Sequence, residues 1–73
     1  INWRGYIMFM SIIWNTEDGV EVKHLNETNW FDASVFLHEN NIKFTDLKCV
    51  EVEDLRNNDS YTSISKFEDY FLS

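Results

Sequence analysis

The stretch from Tyr6 to His24 constrains this chain most, because it joins an unbroken apolar run to a reversal signal. Tyr6-Ile7-Met8-Phe9-Met10-Ser11-Ile12-Ile13-Trp14 is β-branched and aromatic enough for a strand. It runs into Asn15-Thr16-Glu17-Asp18-Gly19 and then Val20-Glu21-Val22-Lys23-His24, which together spell a β-hairpin. The side-chain period of two makes the loop length decisive, since a slip of one residue exchanges the faces of a strand. A two-residue Asp18-Gly19 turn would set Val20 and Val22 beside Glu17 and Asn15. A three-residue loop with Gly19 left-handed pairs Val20 with Thr16 and Val22 with Trp14, and brings His24 near Ile12. The second register is preferred, because it gathers Tyr6, Met8, Met10, Ile12, Trp14, Val20 and Val22 on one side. Ile7, Phe9 and Ile13 make the reverse side of the first strand apolar as well, so that strand should be central or covered by a partner chain.

The remaining elements follow in order. Asn26 to Asn29 offers helix caps, with Asp32 in the first turn, and a helix is predicted from Trp30 to Asn40. Trp30, Ala33, Phe36 and Leu37, with Phe31 and Val35 alongside, form its apolar stripe. Asn40-Asn41 should supply a left-handed cap, with Ile42 folding back on the last turn. Ile42 to Val52 reads as a third strand beside the first, with Lys48, Val50 and Val52 on one face and Leu47, Cys49 and Glu51 on the other. Leu55 to Ser60 reads as a polar loop. Ser63 to Leu72 reads as a second helix, with Ile64, Phe67 and Phe71 at helical spacing, and a Ser65/Glu68 capping box offers a start one turn later. The fold class is therefore α+β, a small antiparallel or mixed three-stranded sheet with helices packed on it, in the order β-β-α-β-α.

With 73 residues the chain is one domain, of a size that buries only roughly 60% of its unfolded surface. It opens on Ile1, so residues 1–9 read as a fragment boundary or as residues added to the natural chain. The apolar run at Tyr6 to Trp14 is too short for a membrane span and lacks a secretory leader. Cys49 is a lone cysteine and argues for no oxidising compartment, so a cytoplasmic setting is expected. Asn26-Glu27-Thr28 and Asn58-Asp59-Ser60 match the glycosylation pattern, but so short a pattern recurs by chance in a chain this rich in Asn, Ser and Thr.

Chemistry-bearing motifs are sparse. The two glycines, Gly5 and Gly19, form no phosphate-cradling loop, so no nucleotide cofactor is expected. His24, His38 and Cys49 could serve a small metal-dependent or cysteine enzyme, yet they fall on three elements without paired metal-ligand spacing. A chain this small has little apolar material left to enclose a substrate pocket, so a non-enzymatic role is expected, without metal or cofactor.

Charge says more. Thirteen acidic against six basic residues give a net charge of −7, which disfavours direct binding to nucleic acid or anionic membranes and favours a basic protein partner. Glu51 and Glu53 lie two apart on the third strand, roughly 6.7 Å along it. With Asp54 and Asp46 they make a candidate acidic interaction face. Such a row could imitate the phosphates of nucleic acid toward an enzyme that binds it, as an inhibitor of the kind mobile elements could use against host defences. The plainer account of the same acids is a solvated, charge-protected sheet edge. Trp3, Trp14, Trp30 and Tyr70 are candidate interface aromatics, since twelve aromatic side chains exceed what one small core readily covers, and a homodimer is expected on that ground.

Overall fold

A computed structural model describes residues 8–71. Its elements are β1 (Met8–Thr16), β2 (Gly19–Thr28), α1 (Trp30–Glu39), β3 (Leu47–Asp54), β4 (Asp59–Thr62) and α2 (Glu68–Phe71), with 3-10 turns at Phe44–Asp46 and Ser65–Phe67. The strands form one antiparallel sheet in the order β2-β1-β3-β4. β1 is central, the first of the two placements expected from its two apolar faces. β2 and β3 flank it and run parallel to each other, so α1 carries the chain across one face of the sheet between them.

α1 begins where Asn29 accepts the Asp32 N–H at 2.8 Å and ends with Asn41 at φ 56. The Asn41 and Ile42 N–H groups donate to the His38 and Leu37 carbonyls, the paired bonds of a Schellman cap with asparagine in the left-handed position. Ile42 is thereby folded back and buried. Ala33 and Leu37 of α1, Met8, Met10 and Ile12 of β1, Leu47, Val50 and Val52 of β3, and Phe67 of the second 3-10 turn complete the core with Ile42. Phe67 is fully buried and meets Trp30 edge to face, with ring centroids 5.0 Å apart.

The expected register of the hairpin is overturned. Thr16 pairs with Gly19, Asn15 with Val20, Trp14 with Glu21 and Ile13 with Val22, so Val22 and Trp14 lie on opposite faces. The turn is Glu17-Asp18, shorter than the preferred loop. Neither turn residue takes positive φ, whereas Gly19 just beyond does, at 135°. The Thr16 hydroxyl accepts the Asp18 N–H and donates to the Gly19 carbonyl. The physical reason lies at the far end of the hairpin, which the helices cover. The expected register would have turned His24 and Asn26 inward there, whereas the observed one places Leu25 beside Met10 and, after a break in register at Glu27 (φ 52), Thr28 beside Met8. Burying two polar side chains without partners costs more than leaving two valines in water.

The sheet also has four strands where three were expected, because Asp59–Thr62 pairs with β3, its first two residues having been expected in a polar loop and its last two in no element. A register break between Ile13 and Trp14 turns Leu47 to the core with Trp14 and leaves Lys48 outside, reversing the expected faces at that end of β3. Within the described residues the C-terminal helix starts later than Ser63, as a 3-10 turn leading into one turn of α-helix, and its expected end at Leu72 lies outside them.

Candidate interaction surface

Both helical segments pack on the even-numbered side of β1, so the odd-numbered side of the sheet is open among the described residues. Three cross-strand rows define it. Val22, Ile13 and Cys49 form one; His24, Ser11, Glu51 and Thr62 form the next; Phe9, Glu53 and Ser60 form the third. Val20 and Val22 are 51% and 50% exposed, values that mark an apolar strip facing water. Phe9, Ile13 and Cys49 are half-buried, and Glu51 and Glu53 are exposed. An open hollow of about 860 Å³ lies over the last two rows, bordered by Phe9, Ser11, His24, Glu51 and Glu53.

Alternation along β3 places both glutamates on this face. Their directly opposed neighbours, Ser11 and Thr62 for Glu51, Phe9 and Ser60 for Glu53, are all uncharged. The acidic face expected from sequence thus divides. Asp54 sits on the helix side, where its carboxylate accepts the Arg56 and Asn57 N–H groups and the Asn57 amide, shaping the turn into β4. Asp46, at the other end of β3, accepts the Lys43 N–H at 3.0 Å and closes a 3-10 turn. On the open face the carboxylates form a pair and not an extended track.

The expected interface aromatics are likewise placed on the helix side. Trp14 meets Phe36 edge to face at 6.0 Å, Trp30 meets Phe67, and Tyr70 meets Phe31 at 6.4 Å. All three are half-buried, and Trp3 lies outside the described residues. Among the described residues Phe31 is the most exposed of the phenylalanines and tryptophans, at 61%. The valines on β2 were missed as surface residues because their exposure depends on the register, and the signal that could have found them was the cost of His24 and Asn26 facing inward.

The residues with chemical potential are dispersed. His24 Nδ1 lies 2.7 Å from Ser11 Oγ on the open face. In that cross-strand row Glu51 lies on the far side of Ser11 from the imidazole, so it is not placed to orient the ring as the third member of a nucleophilic triad does. Cys49 shares the open face, whereas His38 is on α1, stacked on Phe71 at 4.5 Å and bonded to the Tyr70 carbonyl. The sheet therefore separates Cys49 from His38. No group of three or more His, Cys, Asp or Glu among the described residues could hold a metal ion.

A second hollow, of about 580 Å³, opens at the end of the sheet by Trp30, Asp54, Asp59 and Tyr61. Partial burial, then the Asp54 and Asp59 carboxylates, raise the Tyr61 pKa, against the opposing effect of the Trp30 indole hydrogen bond. No helix among the described residues is long and apolar enough to cross a membrane. No family model matches the sequence, and no curated protein or solved structure matches it.

Proposed function

We propose that this chain is a non-enzymatic interaction domain that docks a basic protein on the open face of its sheet. The observation that carries the reading is the juxtaposition, on a face neither helix covers, of the Val20/Val22/Ile13 strip and the Glu51/Glu53 pair. Burial of the strip supplies affinity that is indifferent to the partner's charge. The carboxylates, with uncharged neighbours, supply preference for a partner that brings lysine or arginine, and the net charge of −7 steers its approach.

The test is capture from lysate with the immobilised wild-type chain and with a Glu51→Lys/Glu53→Lys variant, each at low and high salt. Basic proteins should be retained by the wild type at low salt, released as salt screens the charges, and absent from the variant. The variant should keep its stability within about 0.5 kcal/mol, as exposed substitutions usually do. An identical set of captured proteins on both chains, or none on the wild type, would overturn the reading.

A further inference from the structure

β2 is a ten-residue strand at one edge of the sheet, and residues 19–24 of it are all exposed. Which of its backbone groups face outward follows from a bond elsewhere. The Ser63 N–H donates to the Val50 carbonyl at 3.0 Å, so even-numbered residues of β3 direct their backbone groups toward β4 and odd-numbered ones toward β1. Carrying that alternation across the pairs Ser11–Glu51 and Ile13–Cys49, odd residues of β1 face β3 and even residues face β2. Their partners Glu21 and Lys23 are then turned inward to β1, leaving the N–H and C=O groups of Val20, Val22 and His24 on an edge that no other strand among the described residues covers.

We infer that this edge pairs with the same edge of a second copy of the chain, antiparallel about a two-fold axis at Val22. In that register Val22 opposes Val22 of the other copy and Val20 opposes His24, with outward backbone groups meeting in about six hydrogen bonds. Glu21 then lies across from Lys23, twice, in positions where antiparallel Cα atoms approach to about 4.5 Å. The sequence Glu-Val-Lys is its own complement when reversed. Centring the axis one residue earlier would set Glu21 against Glu21, and one residue later Lys23 against Lys23, both of which are repulsive. Charge thus favours this register over both of its neighbours, while the same charges oppose pairing with an arbitrary strand. An axis through Val22 perpendicular to the sheet joins the two open faces side by side and brings the exposed valines of both copies into one strip. This inference rests on the edge and not on the proposed docking of a basic protein.

Sedimentation equilibrium of the whole chain across a dilution series tests it. The wild type, 8.8 kDa per chain, should sediment at twice that mass at tens of micromolar. Glu21→Lys should weaken the dimer about tenfold or more, a change of roughly 1.4 kcal/mol. Adding Lys23→Glu to that variant should restore it, by reversing both pairs. Val22→Pro should also give a folded monomer, because proline is tolerated on an edge whose N–H faces water but cannot donate across the seam. A wild type that stays monomeric to roughly 100 μM would overturn the inference. So would a Glu21→Lys chain as dimeric as the wild type, or a double variant that fails to recover. Circular dichroism on each variant establishes that it is folded, and the Glu51→Lys/Glu53→Lys chain should dimerise as the wild type does.

Discussion

Asn29 joins β2 to α1 through one side chain. It accepts the Asp32 N–H at 2.8 Å and donates from its amide to the Asp32 carboxylate at 3.1 Å. Replacing it with alanine removes a partner from the first turn of the helix and should cost about 1 kcal/mol, read as a lower midpoint in urea with an unchanged slope. Tyr61 is tied to pH by a different route. Its pKa is raised in the folded chain, so the proton is held more tightly there than in the unfolded chain. That contribution is fully present below the ordinary tyrosine value of about 10 and falls as pH rises from there toward the folded value. Tyr61→Phe abolishes the titration, so the difference in stability between wild type and variant should shift in the variant's favour above about pH 10. A difference flat with pH would show that the phenol is not held in the way described.

At the scale of elements, α1 was the most legible, because its limits are written in local chemistry. Asn29 caps one end, Asn41 tolerates the left-handed turn at the other, and Ala33 and Leu37 repeat at helical spacing. β1 was legible for a similar reason, as two apolar faces point to a strand that is central or covered by a partner chain, and it is central here. What the sequence hid was set at a distance. The register of β2 was decided at Leu25 and Thr28, under the helix, whereas the pattern beside the turn pointed the other way. β4 is short and polar, Asp-Ser-Tyr-Thr, and is a strand because β3 offers it a partner. Of the candidate acidic residues, Glu51 and Glu53 are joined on one face by simple alternation, while Asp54 and Asp46 are drawn off by local backbone bonds that spacing alone does not reveal. Phe67 illustrates the same dependence. It lies in a single 3-10 turn without helical propensity to stabilise it, held by burial against Trp30. Phe67→Ala should therefore remove about 3–5 kcal/mol, comparable to the whole stability of a domain this small, and should abolish a cooperative unfolding transition.

For the molecule as a whole, the arrangement is one layer of helix on one side of a four-stranded sheet, with the other side open among the described residues. The core is gathered on the even-numbered side of β1, and acidic and apolar residues share the opposite side. The proposed docking on the open face and the register inferred for the β2 edge both depend on that division. The most direct measurement of it compares Val22→Asp with Val50→Asp by urea unfolding at low micromolar protein. Val22 faces water and Val50 is fully buried two strands away. Val22→Asp should unfold within about 1 kcal/mol of the wild type, whereas Val50→Asp should leave no cooperative transition, since it buries an unpaired charge. Equal and severe loss in both variants would contradict the division of faces, and with it the surface on which docking is proposed.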